Sequence, residues 1–161
     1  MIMNFEKYTI KSQEALQKSA EIAVGLQQQA IEPGHILKAI LETDENVASY
    51  LVKKLAINKN LLDTKLEELL HSYPKVSGQQ PYLSSATNTL LQQAEKELRE
   101  FKDQYIAVEH LLLALLAGKD KSASLLRDVG FERTALIKAI KELRGGNAVT
   151  DQNAEAKYKS L

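Results

Sequence analysis

The sequence predicts an all-α, pseudo-two-fold domain made of two copies of one four-helix unit, eight helices in all. Three observations predict it. The chain repeats itself at an offset of 75 residues, and its apolar residues recur at helical spacing in both copies. Its apolar content is mostly Leu, Ala, Ile and Val, with 6% aromatics and no Trp, which suits helix packing.

The repeat is read by placing His35 over His110. Leu16 then meets Leu91, Gln29 meets Gln104, Ile31 meets Ile106, Leu37 meets Leu112 and Leu41 meets Leu116. Past the next loop the offset becomes 74, so Leu51 meets Leu125, Leu62 meets Leu136 and Leu69 meets Leu143. The period is too long, and the copies too few, for a solenoid; duplication is the simpler reading.

Each copy then reads as four helices. Thr9 can cap the first, whose apolar positions are Leu16, Ala20 and Ala23. Pro33 suits the first turn of the second, which presents Ile36, Leu37, Ile40 and Leu41. A short third helix covers Val47–Lys54, and a fourth carries Leu62, Leu66 and Leu69. In the other copy the first helix starts after Ser84 or Ser85 and steps Thr87, Leu91, Ala94, Leu98, Phe101. The next presents Leu111, Leu112, Leu115 and Leu116 and is apolar around most of its girth, which predicts the buried centre. A short helix at Ser122–Asp128 and a last one with Leu136, Ile140 and Leu143 complete the set. The first copy is thus expected over 1–72 and the second over 84–144. Pro74, Gly78 and Pro81 mark 73–83 as a linker, and Gly145-Gly146 open a flexible tail over 145–161. Tyr158 and Leu161 turn apolar as the chain stops, which suggests a longer parent.

Composition excludes several function classes. Lys+Arg and Asp+Glu both number 21, so no basic excess points to nucleic acid. Without Cys there are no disulfides or thiolate metal sites. The N-terminus lacks the pattern of a signal peptide, and the longest apolar run, Leu111 to Ala117, is far short of the ~20 residues of a membrane helix. A soluble, cytoplasmic protein with no membrane partner is expected. Gly118-Lys119 is not a phosphate loop, since Leu113 stands where the first Gly belongs and Asp120 follows the Lys. His35, His71 and His110 have no metal-ligand spacing. His35 and His110 hold matched places at helix starts, where a ring bonded to nearby backbone is the simplest reading. Glu95, Glu97, Glu100 and Asp103 are expected on a solvated face. No nucleophile, metal set or nucleotide site is specified, so this chain is expected not to be an enzyme. Two copies meeting face to face leave a seam, and an apolar groove with charged rims there suits a peptide segment.

The motif Ile106-Ala107-Val108-Glu109-His110-Leu111-Leu112-Leu113-Ala114-Leu115-Leu116 resembles the signature of the Clp N-terminal repeat family. Ile31-Glu32-Pro33-Gly34-His35-Ile36-Leu37-Lys38-Ala39-Ile40-Leu41 is its looser first copy, and Phe5-Glu6-Lys7-Tyr8-Thr9 is similar to the family's opening. The stretch from Arg144-Gly145-Gly146 to Ala154-Glu155 resembles the lead into the first ATPase module of ClpB-type chaperones. The resemblance covers essentially the whole chain. It implies the N-terminal domain of a homohexameric AAA+ disaggregase that meets unfolded or aggregated clients and cooperates with the DnaK system. ATP and Mg would belong to modules outside this chain, which needs no cofactor itself. It also implies substrate-contacting positions at Thr9, Asp103, Glu109 and the neighbouring His110, with an apolar lining at Leu91. At His110 the chain departs from relatives with an apolar residue, which alters the polarity next to Glu109. Each polar position has a structural alternative: Thr9 as an N-cap, Glu109 in a helix's first turn, Asp103 solvated in a loop. Docking of one folded adaptor, as in ClpA- and ClpC-type proteins, is the alternative function. Glu109 faces Gly34 in the alignment, so the pseudosymmetry breaks at the expected rim.

Overall fold

The computed structural model describes residues 5–44, 46–76, 78 and 80–158. Leu161 and the first four residues, on which the terminal readings partly rested, lie outside them. The elements run α1 (Ile10–Gly25), β1 (Ala30–Ile31), α2 (Pro33–Thr43), α3 (Val47–Lys54), α4 (Lys59–Ser72), β2 (Tyr82–Leu83), α5 (Ser85–Phe101), α6 (Val108–Ala117), α7 (Lys121–Asp128) and α8 (Arg133–Arg144). Two copies of a four-helix unit are present, as the repeat predicts. No helix among the described residues is long and apolar enough to cross a membrane.

Local chemistry sets the helix starts. Thr9 accepts the Ser12 N–H at the head of α1, and Ser84 accepts the Thr87 N–H at the matched head of α5. Pro33 opens α2. The loops repeat as well. Gln27 and Lys102, one repeat apart, both have φ near 57°, at 59° and 55°. Ala56 (φ 55°) has Gly130 (φ 114°) as its counterpart, so one copy keeps a side chain where the other uses Gly.

The copies are interlaced rather than stacked. β1 of the first copy pairs in parallel with β2, which leads into the second, matching Ala30 with Tyr82 and Ile31 with Leu83. The equivalent pairing joins Tyr8 to Ile106. The expected linker 73–83 therefore ends in a paired strand. The helices cross over in the same way, with α3 packing on α8 and α4 on α7. α6 lies at the centre, and Leu111, Leu113 and Ala114 are inaccessible or nearly so.

Three expectations are corrected by packing. The buried face of α5 is Thr87, Leu90, Ala94 and Glu97, while Leu91, Leu98 and Phe101 flank it half-buried. Glu97 is only 2% exposed and lies under a bidentate Arg133 pair at 2.8 and 2.9 Å, so it does not belong to a solvated face. The segment after Gly145-Gly146, expected to be flexible, packs back on the body. Val149, Ala154 and Tyr158 are buried, and Ala154–Lys157 forms a 3-10 turn. Its apolar residues find a surface at the junction of α1, α6 and α8 that would otherwise stay wet.

Candidate functional site

The two matched histidines do the same local work. Nδ1 of His35 accepts the Glu32 N–H at 2.8 Å, and Nδ1 of His110 accepts the Ala107 N–H at 2.7 Å. Each ring thus bonds the backbone at its own helix entry. With Nδ1 accepting, Nε2 carries the proton and donates seven residues back. In the first copy the acceptor is Gln28 Oε1 at 2.6 Å; in the second it is Asp103 Oδ2 at 2.7 Å. The amide-to-carboxylate change brings a charge into the second copy.

Arg144 answers that charge. Its Nη1 donates to Asp103 Oδ2 and its Nε to Glu109 Oε2, both at 2.9 Å. The guanidinium lies over the Phe101 ring, 4.6 Å from the centroid. Asp103 Oδ1 accepts the Val149 N–H at 2.9 Å, and Glu109 accepts the Tyr158 hydroxyl. Burial alone would raise the Asp103 pKa, but the bonds from His110 and Val149 and the field of Arg144 hold it below the ordinary carboxylate value. Thr9 caps α1 and also donates to Glu155 Oε2 at 2.6 Å, and that oxygen accepts the Val108 N–H at the head of α6. Burial, and then the charge of Glu109, push Glu155 up to about 7.

The structure therefore gathers Thr9, Asp103, Glu109 and His110 into one network, and leaves Leu91 elsewhere, half-buried on α5. The four do not border an open groove. Thr9, Glu109 and His110 are fully buried, and so is the Asp103 side chain. The packed segment 147–158 covers them. Arg144, Glu155 and Tyr158 belong to the network and were not singled out from the sequence. A signal for Arg144 exists: at the offset of 74 it stands opposite Leu70, a core position. No group of three or more potential metal ligands occurs among the described residues.

Two buried groups set opposing pH responses. Burial pushes His35 down to about 4, below the ~6.5 of an unfolded His, so folding loses stability as pH falls from about 6.5 to 4. Glu155, raised to about 7, has the reverse sign. Its protonated form suits the fold, so its contribution is fully present below the unfolded value near 4.5 and is lost as pH rises through 7. Each effect amounts to roughly 3 kcal/mol at most. Urea midpoints at pH 7 and 4.5 test this. Glu155→Gln should lose clearly more stability on acidification than the parent, and His35→Gln should lose less.

An open cavity lies on the second copy where Pro33 of the first copy meets it. It has a volume of about 390 Å³ and is lined by Pro33 from the first copy and by Ala86, Leu90, Gln93, Ala114, Ala117 and Lys119 from the second. Its floor is apolar and its rim carries the exposed Lys119. Leu90 lines it rather than Leu91. A larger cavity of about 580 Å³ lies within the first copy, between the end of α2, α3 and the turn before α4, with Leu41, Ala48, Val52 and Ile57 on its walls.

This duplicated helical fold with interlaced entry strands defines the class of the chain, and residues 7–129 match the Clp repeat (R) N-terminal domain family. The chain belongs to that family. It is 44% identical over 159 residues to the chaperone protein ClpB of Porphyromonas gingivalis and 42% identical to that of Bacteroides thetaiotaomicron. Each match covers 99% of this chain and 18% of the relative, so the chain spans about a fifth of the length of these ClpB chaperones. Among solved structures, the N-terminal domain of Hsp104 from Candida albicans superposes with a TM-score of 0.82 at 22% identity, covering 93% of this chain and 99% of that one. The ClpV N-domain, solved in complex with a VipB peptide, superposes with a TM-score of 0.70 at 17% identity, covering 93% and 97%.

Proposed function

We propose that this chain is the client-recruiting N-terminal domain of a ClpB-type disaggregase, and that it holds exposed segments of unfolded or aggregated proteins in the groove between its two copies. The carrying observation is the cavity of about 390 Å³ where Pro33 faces α5 and α6. Its apolar floor suits aliphatic side chains of a client, while Gln93, Lys119 and Asp120 in its lining offer polar contacts to main chain and to side chains of either charge. The ClpV N-domain, which has this fold, takes up a VipB peptide. Leu91, one position along α5 from Leu90, points away from the cavity at Pro33 and is not among the residues that line it. Contact of a client with Thr9, Asp103, Glu109 or His110 requires segment 147–158 to move first.

The parent would be a cytoplasmic homohexamer that threads clients with ATP and Mg bound in other modules, in cooperation with the DnaK system. A groove this small gives weak affinity, and several copies on one ring supply avidity. The test is a titration of the chain with a permanently unfolded, dye-labelled protein, followed by anisotropy. Saturable binding with a Kd on the order of 100 μM is expected. No binding at millimolar chain, or tight binding to one folded partner only, would overturn the reading in favour of an adaptor-docking domain.

A further inference from the structure

We propose that residues 147–158 are a reversible latch that swings about Gly145-Gly146 and, when open, uncovers the socket formed by Thr9, Asp103, Val108, Glu109 and Arg144. The inference stands on the packing of this segment and does not depend on any client.

The segment is held at a few points. Val149, Ala154, Glu155 and Tyr158 are buried, whereas Thr150, Asn153, Ala156 and Lys157 between them are exposed. Both hinge glycines are exposed with positive φ, 60° and 92°. The latch supplies bonds the body cannot make for itself. The Gln152 carbonyl accepts the Ile10 N–H at 2.8 Å, at the first turn of α1, and Glu155 accepts the Val108 N–H at the first turn of α6. The Val149 carbonyl accepts the Gln104 N–H at 2.8 Å.

The same seam is incompletely satisfied, which is why the latch can open. The buried side-chain atoms with no hydrogen-bond partner among the described residues are Glu109 Oε1 and Arg144 Nη2 on the body and Glu155 Oε1 on the latch itself. Two carboxylates, Glu109 and Glu155, also repel each other there. Opening hydrates all of these groups. The titratable and charged groups around Glu155 are Glu109 from α6, Tyr158 of the segment itself, and Lys11 from α1 and Asp44 from the turn before α3, which line one pocket with it. A closed state that favours protonated Glu155 is tightened by acid, because closing then takes up a proton.

Native-state hydrogen exchange on the full 161-residue chain tests the latch. The amides of Ile10, Gln104 and Val149 are bonded only across the seam, and Leu113 in α6 reports global unfolding. The three seam amides should share one opening constant, at least ~100-fold larger than that of Leu113 and insensitive to low urea. That constant should fall about tenfold per pH unit on acidification below 7, after correction for intrinsic exchange. Glu155→Gln should lower it at pH 7.5 and abolish the pH dependence. Seam amides that exchange at the Leu113 rate would overturn the proposal. So would a Glu155→Gln chain whose opening matches the parent at every pH.

Discussion

Replacing Arg144 with Met should destabilise the chain by about 3–5 kcal/mol, the range for removing one partner of a buried ion pair. The Asp103 and Glu109 side chains are 0% exposed, and Arg144 is the cation bonded to both. Asp103 would keep His110 and the Val149 N–H, and Glu109 would keep the Tyr158 hydroxyl. Neither set of neutral donors balances two buried negative charges. The stacking of the guanidinium on Phe101 would also be lost. Lys should not rescue, because one ammonium cannot reproduce two directed bonds from Nε and Nη1. Adding Glu109→Gln to the Met variant should recover part of the loss by removing one stranded charge. Urea unfolding of the four proteins, with the slope checked for constancy, measures each step. A loss below ~1 kcal/mol for the Met variant would show that the network contributes little.

Leu113→Ala should cost a similar amount by a different mechanism. Leu113 is 0% exposed at the middle of α6, the helix against which both copies pack. Truncation removes buried methyl groups and leaves a cavity that interlaced helices cannot close, so about 2–5 kcal/mol is expected. The melting temperature should fall by roughly 10 °C. Because entry strands and helices of the two copies cross, the loss should appear as one cooperative transition. Two separated transitions would mean that the copies are independent units.

The helical frame was legible because it rests on short-range spacing. The α6 run and the leucines of α4 and α8 fall on buried faces, and the offsets of 75 and then 74 placed their counterparts correctly. The phase of α5 was not legible. The sets 87-90-94-97 and 87-91-94-98 step 3-4-3 and 4-3-4, both helical, and adjacent leucines at 90 and 91 serve either. Tertiary contacts decide between them: α5 packs on α6, and Glu97 pairs with Arg133 on α8. The polar network was half legible. Thr9, Asp103, Glu109 and His110 do come together, but their partners lie far along the chain, at Arg144, Glu155 and Tyr158. Such pairs leave no periodic trace. A comparison of copies could have exposed them, since Asp103 replaces Gln28 and Arg144 replaces Leu70, an acid and a base introduced together. The double glycine was read as the start of free chain, and it is instead a turn that lets Val149 and Tyr158 reach the core.

The central claim is that unfolded chains bind between the copies. Amide chemical shifts of the isotope-labelled chain, followed while a permanently unfolded protein is added, test it most directly. Saturable shifts should cluster at Ala86, Leu90, Gln93, Ala114 and Lys119, with Leu91 beside them. Shifts confined to Ala48, Val52 and Ile57 around the larger cavity, or no shifts at all, would contradict it.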